Sequence, residues 1–536
     1  MRKVKYILFW STLLVSASIQ AQNYNDAMRY STEELTGTAR FKGMSGAFGA
    51  LGGDLSAFNI NPAGSAVFNT SEISVSLNSN RQKRDITFFD RNNTITNNDF
   101  NVNHFGFVIP ITDVSPTVKK ISLGFNYLLS KTLDNDKFSY SAFTNKGLDN
   151  YFSYYATQGN AGNPFSFDTF ATGYNYKPEY QQQEIGEYYA RLGRTNGYAA
   201  QMAYLGMMAN LITPSNTTPN NTSYDVSGNN LERLETYRVD RTGYVNKYNF
   251  NISSQLGDYI YLGLNLNGHN INEKALYSVK DDNFQGTNPF LTYANHKQYI
   301  NTTGEGFSLQ LGSIIKVNDD FRVGVSYQSP TWYSLKEESR QVLYGTVVAS
   351  GKEYNSDIEL VNRYNDPIWY EREYKFRTPS AWTASAAYII KKRAILSADY
   401  TYRAYDNLKF RSANMQAENN IIQNELGDTS TLRLGAEYRI PFKLLKEEPS
   451  SKNFVSLRAG YRYEQSPYRK AIATVGDLNG YSFGGGVSLG GIRLDLSYDI
   501  AKQTNLFQMY ETVLTDNAKI NSKYGNFLLT FTAQLF

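Results

Sequence analysis

Histidine and cysteine are the first residues to ask for chemistry, and the sequence offers little of either. His104, His269 and His296 are its only three imidazoles, and none stands in a Gly-x-Ser-x-Gly or other nucleophile setting. There are 0 cysteines, which removes disulfide scaffolds, thiolate zinc sites, iron–sulfur clusters and thiol nucleophiles. Gly46, Gly49, Gly52 and Gly53 form a glycine-rich run, but it lacks the Lys-Ser/Thr ending of a phosphate loop. No His, Asp and Glu cluster suggests a metal, so the chain reads as a non-enzyme with no cofactor. The spacing that does carry meaning is apolar. Tyr198, Met202, Leu205, Ala209 and Ile212 recur as one face of a helix, with Met207 and Met208 beside them. Flexible Met side chains suit apolar ligands of variable shape, which makes Tyr198, Met202, Leu205, Met208 and Ile212 a candidate capture surface. Packing of that face on the barrel rim is the equally good alternative.

Those residues need a frame, and the frame is read from alternation. Ile492, Leu494, Leu496, Tyr498 and Ile500 alternate with Arg493, Asp495, Ser497 and Asp499; Val455 to Tyr463 and Leu432 to Ile440 repeat the pattern. Side chains on a strand point to opposite faces in turn, so each segment has one apolar and one polar face. Fourteen such segments start near residues 71, 101, 119, 243, 259, 305, 320, 372, 393, 430, 453, 480, 491 and 523. Long connections follow the odd strands, up to the segment 142–242. Short turns such as Gly257-Asp258 and Gly490-Gly491 follow the even ones, Phe442 to Lys452 excepted. A sandwich has no reason to obey that parity, whereas a membrane barrel with short periplasmic turns and long outer loops does. The expected fold is all-β: a 14-stranded antiparallel transmembrane barrel, residues 71–536.

Composition agrees. The chain has 536 residues, 43 Tyr and 31 Phe, yet a mean hydropathy of -0.47. Disordered chains are poor in aromatics, and helical membrane proteins carry apolar runs of about 20 residues. After residue 21 no such run exists. Residues 1–21 read as a secretory signal, with Arg2, Lys3 and Lys5 before an apolar stretch and small residues ending at Ala21. Removing those three cations takes the formal charge from +4 to +1, which gives no reason to expect nucleic acid.

Residues 22–70 do not alternate and are rich in small side chains, which suits a compact hatch inside a lumen. The run Gly52-Gly53-Asp54-Leu55-Ser56-Ala57-Phe58-Asn59-Ile60-Asn61-Pro62-Ala63-Gly64 resembles the hatch of the FadL family of outer-membrane transporters for long-chain fatty acids and other hydrophobic compounds. Gly324 to Pro330, Thr378 to Trp382 and Leu457 to Pro467 are further family-like stretches. The resemblance implies that Asn61, Pro62 and Ala63 anchor the hatch, and that ligand leaves sideways at a kinked third strand, where Gly124 is the candidate kink. It also implies lumen-facing basic residues near ligand. Arg433, Arg439, Arg458, Arg462 and Arg493 have the right parity, although carboxylate partners inside a wet barrel are their commoner use. The expected partners are hydrophobic small molecules, outer-membrane lipid and the barrel assembly machinery, with a monomer as the working state and both termini periplasmic. Docking to a secretion machine and haemin uptake are the alternatives. Scattered histidines and tyrosines permit haem ligation without indicating it.

Overall fold

The computed structural model describes residues 24–536 apart from 135, 287–289, 413–414, 443–452, 470–473, 511 and 536. The expected signal segment, the terminal Phe536 and most of the Phe442 to Lys452 connection lie outside the described residues.

Among the described residues fourteen strands close on themselves. They are β1 (Glu72–Phe88), β2 (Arg91–Thr112), β3 (Val118–Thr132), β4 (Arg233–Leu256), β5 (Ile260–Asp282), β6 (Leu291–Lys316) and β7 (Phe321–Gln328). The second half is β8 (Ala381–Ile390), β9 (Ala394–Ala404), β10 (Asp428–Pro441), β11 (Phe454–Glu464), β12 (Val475–Leu489), β13 (Ile492–Gln508) and β14 (Asn517–Gln534). Each pairs antiparallel with its neighbours, and β1 pairs with β14 from Glu72↔Gln534 to Thr87↔Lys519, so the sheet has no free edge across the membrane. The alternation maps as expected. On β13, Ile492, Leu494, Leu496, Tyr498 and Ile500 are exposed on the outer face while Asp495, Ser497 and Asp499 are buried inside. Aromatic neighbours such as Tyr327, Trp382 and Tyr402 on β7, β8 and β9 stand in register as part of an outer belt.

Strand starts at the short turns fall within a few residues of expectation, and those at the outer ends, β10 at Asp428 excepted, fall further off. β4 begins at Arg233 rather than near 243, and β6 at Leu291 rather than near 305. β6 has 26 residues, more than twice the 9–11 that cross a bilayer. Above the lipid the outer face is no longer apolar, so alternation fades while the ladder continues. The strand Trp332–Ala349 and the shorter Lys137–Thr144, Lys352–Glu359 and Tyr370–Arg377 add to this outer wall. The eighth strand, expected near 372, is therefore split. Tyr370–Arg377 belongs to the wall, and β8 starts after Pro379, which cannot donate to a ladder.

Two groups of helices stop the ends of the lumen. Inside the barrel lie α1 (Tyr24–Ser31), α2 (Ala39–Gly43) and the short turn Pro62–Val67. Over the outer mouth, α3 (Leu148–Gln158), α4 (Gln182–Thr195) and α5 (Tyr198–Met208) form a cap with its own aromatic and aliphatic core. The expectation of a one-faced α5 needs correcting, because every residue from Ala199 to Met208 is buried. Its second face is built of Ala and Gly, which lets neighbours in close: a Cβ at Gly206 would stand 2.5 Å from Phe152 on α3.

Candidate functional site

The hatch is seated on glycines. Asn61 Nδ2 donates to the Gly49 carbonyl at 2.7 Å and to the Ser313 carbonyl of β6 at 2.9 Å, while its Oδ1 accepts from Ala63 N at 3.1 Å. The Pro62 carbonyl accepts from Asn251 Nδ2 of β4 at 3.0 Å. The strand backbones come this near because their facing residues have no side chain. A Cβ at Gly263 would lie 2.3 Å from Pro62 C, one at Gly312 2.0 Å from Asn61 Oδ1, and one at Gly324 2.5 Å from Gly49 O. Across the lumen Gly435 and Gly460 receive Met44 in the same way, at 2.8 and 2.5 Å. The triplet thus bridges hatch and wall by hydrogen bonds.

Ion pairs fix the other side. Glu437, buried on β10, accepts from Arg40 of the hatch at 2.8 Å, from Arg458 at 2.7 Å and from Arg439 at 2.7 Å. Arg458 also reaches Asp495 at 2.8 Å, Arg493 reaches the same carboxylate at 2.9 Å, and Lys42 pairs with Asp499 at 2.9 Å. Of the five arginines singled out by parity, Arg439, Arg458 and Arg493 are therefore spent on this network. Arg433 and Arg462 instead line open space.

That space is a cavity of about 960 Å³ between hatch and cap. Met28, Glu33, Phe41 and Ile60 form its floor, and Tyr151, Tyr198, Met509 and Tyr510 lie at its outer end. Aromatic rings of Phe138, Tyr237 and Phe507 pack together on one wall, with centroids 5.1 to 6.3 Å apart. Charges occur in clusters in which arginines share carboxylates: Arg29 and Arg241 on Glu273 at 3.0 and 3.4 Å, and Arg84 and Arg241 on Asp136. Opposite them stand Arg403, Arg433 and Arg462 with Glu464. The lining is amphipathic throughout rather than an oily tube.

Of the candidate capture residues, Tyr198 lines the cavity. Met202, Leu205, Met208 and Ile212 are at most 4% exposed and stand behind it in the cap core. Gly124 lies in unbroken ladder, opposite Val108 and Asn251, with the Phe58 ring of the hatch directly inside it. On the outer side it borders an apolar hollow of about 580 Å³ lined by Phe107, Leu123, Phe125, Phe250 and Leu266. The irregularities of β3 fall elsewhere. Its ladder with β2 stops at His104↔Leu128, although β2 continues to Arg91 and β3 to Thr132. Register shifts that leave out Asn103 of β2 and Ser130 of β3 flank the point of parting. Above it the strands are joined by Thr132 Oγ1 donating to Asp99 Oδ2 at 3.3 Å. Lys131 and Thr132 line the cavity on one side, and Phe100 and Val102 face outward nearby. Such bulges leave no compositional trace, so sequence reasoning passes over them.

The histidines do not converge. His104 bonds Asn126 at 3.1 Å, His269 bonds Ser308 at 3.0 Å and His296 bonds Gln341 at 3.1 Å. Ser308 is fully buried, also accepts from Asn267 at 3.2 Å, and does not line the cavity. Burial lowers the pKa of His296, in the wall above the lipid, to about 4, which keeps it neutral at neutral pH.

A barrel with an apolar outer face, a polar lumen and a stopper made from its own N-terminal segment is a plugged outer-membrane channel. The chain belongs to the family described as outer membrane protein transport protein (OMPP1/FadL/TodX), whose model matches residues 199–534. A second model, that of an uncharacterised family (UPF0164), matches residues 11–124. The fold is similar to the crystal structure of a Pseudomonas aeruginosa FadL homologue, at 14% identity and a TM-score of 0.52 over 94% of this chain and 99% of that one. The toluene transporter TodX of Pseudomonas putida aligns over 94% of this chain and 99% of its own, at 12% identity and a TM-score of 0.47. No curated protein matches the chain. The family and the outer-membrane location expected from Asn61-Pro62-Ala63 and the later motifs both hold.

Proposed function

We propose that the protein is a passive carrier for hydrophobic and amphipathic small molecules, long-chain fatty acids among them. Ligand enters past the cap, lodges in the cavity and leaves sideways between β2 and β3 into the outer leaflet. The observation that carries this reading is that the cavity is stopped below by the hatch yet reaches the wall where two neighbouring strands part. A straight path would have to break the Glu437 network and the Asn61 bonds together; at the parting, among the described residues, β2 and β3 are bridged by the Thr132–Asp99 side-chain hydrogen bond, and further out Asn97 and Asn93 of β2 donate to the Lys137 and Ser139 carbonyls. Tyr198 is the capture residue that touches ligand, and Met202, Leu205, Met208 and Ile212 hold its helix. Gly124 serves by admitting Phe58 behind the exit rather than by bending the strand.

Hydrolysis is disfavoured because the Ser308–His269 contact is buried away from the cavity. A docking role without transport would fit a filled lumen better than one holding about 960 Å³. Outer-membrane lipid is the solvent of the outer face, the assembly machinery is the partner during biogenesis, and the working state is a monomer. The test uses the absence of native cysteine. Asp99→Cys with Thr132→Cys places a disulfide across the parting, and uptake of labelled oleate is followed in cells before and after reduction. Uptake that falls to the level of cells without the protein and returns on reduction supports the reading. Equal uptake in the stapled, reduced and deleted strains overturns it.

A further inference from the structure

The cap is fastened to the barrel by a cluster of charges that cannot all be ionised. Asp149 on α3, Arg233 and Glu235 on β4, and Asp281 on β5 are all 0% exposed. They lie above the membrane face of β4, which is marked by exposed Tyr244, Phe250 and Ile252. Arg233 donates to Asp149 at 2.7 Å and approaches Asp281 at 3.7 Å, with its guanidinium over the Phe284 ring. Three carboxylates thus share one cation. Glu235 and Asp281 are directly opposite each other in the ladder. Glu235 accepts from the Tyr510 hydroxyl, and Asp281 accepts from Leu148 N at 2.8 Å. One oxygen of each, Glu235 Oε2 and Asp281 Oδ1, has no hydrogen-bond partner among the described residues. Two buried acceptors facing each other without a donor are costly, and a single proton placed between them removes both defects.

We propose that Glu235 and Asp281 share a proton and act as a pH-sensitive latch on the mouth of the cavity, closed while the proton is held and released as pH rises. The latch joins the parts that frame the mouth. Asp281 holds the first turn of α3, Asp149 binds Gly228 N at 2.8 Å, and Tyr510 stacks on Tyr151 at 5.0 Å where both line the cavity. Burial pushes both acids up: Asp281 to about 7, against the pull of Arg233 and helped by the charge of Asp149, and Glu235 well above its ordinary range, helped by the charge of Asp281. The closed state therefore binds more protons than an opened one whose carboxyls meet water. It is favoured at low pH and loses up to about tenfold in population per pH unit as pH rises from the ordinary carboxylate range through the raised values. Tyr140 and Tyr237 also face this cluster; burial pushes both hydroxyls upward, so they stay neutral. His296 packs on Tyr151 and Phe152 and works in the opposite sense, since its lowered pKa opposes closure only as pH falls below about 6.5. Between about pH 6.5 and 8.5 the carboxyl pair acts alone.

Hydrogen exchange of residues 148–158, corrected for the intrinsic rate, would be measured in the full-length protein in nanodiscs at the two ends of that window. Protection should fall with rising pH in the wild type and stay flat in Glu235→Gln/Asp281→Asn, whose amides supply the missing donor at every pH. Flat protection in the wild type, or the same slope in the double variant, overturns the latch. Should the double variant fail to fold, infrared difference spectra of Asp281→Asn against wild type at about pH 6.5 decide. A carboxylic acid carbonyl band lost in the variant supports the shared proton, and its absence from the wild type refutes it. The latch does not depend on which ligand the cavity takes.

Discussion

The lumen is stopped at both ends, and the two stoppers are built from different materials. At the hatch, backbone meets backbone across glycines, and the charges of Arg40, Lys42, Arg439, Arg458 and Arg493 are answered by Asp54, Glu72, Glu437, Asp495 and Asp499. At the cap, Leu, Met, Tyr and Phe pack into an ordinary core, and the charge cluster beneath it carries more acid than base. A close-fitted contact with matched charges has one arrangement and is expensive to leave. An apolar core with a protonatable join can loosen by degrees. The hatch is thus the permanent stopper and the cap the adjustable one.

The largest expected effect is at the hatch. Glu437→Ala leaves two buried arginines, Arg40 and Arg458, and the half-buried Arg439 around an empty site and should cost about 3–5 kcal/mol of stability, read as a lower unfolding temperature in detergent. At the cap, Leu205→Ala should cost about 2–5 kcal/mol locally. It should raise hydrogen exchange across α3 to α5 while leaving residues 38–68 protected; loss of protection in both would erase the distinction drawn here. Asn61→Ala removes the donor to Gly49 and Ser313 and should cost about 1–3 kcal/mol, with increased leakage of small hydrophilic antibiotics as the sign of a loosened hatch. The smallest effect is Tyr198→Phe, which keeps the ring at the cavity wall. Ligand affinity should change by less than about 1 kcal/mol in a binding titration, whereas Tyr198→Ala should weaken it and, by removing the edge-to-face contact with Tyr155, also lower the stability of the cap by about 1 kcal/mol.

How much of this was legible follows the same division. Within the membrane the environment differs on the two faces of every strand, so Ile492 to Ile500 declare both their conformation and their orientation. Asn61-Pro62-Ala63 was readable through its likeness to the family's hatch together with the strand count and the later motifs; by itself the triplet reads only as a turn punctuated by proline. Above the lipid, Arg233 to Gly243 meets water or the cap on both faces, and the pattern that marks a strand is lost. In α5 the spacing of Leu and Met suggested one buried face because Ala199, Ala203 and Gly206 carry too little bulk to register as core. The partners of Arg458 and the parting at Asn103 and Ser130 depend on register between strands, which no single strand encodes.

One hatch contact has a consequence for biogenesis. Ala39 N donates to Thr530 Oγ1 at 2.7 Å across 491 residues of chain, and β14, which carries that threonine, also closes the barrel against β1. The bond can form only once β14 is in place, so the last strand of the wall supplies both the closing ladder with β1 and this tie to the plug. Closure of the cylinder and seating of the N-terminal segment at this point thus depend on one strand.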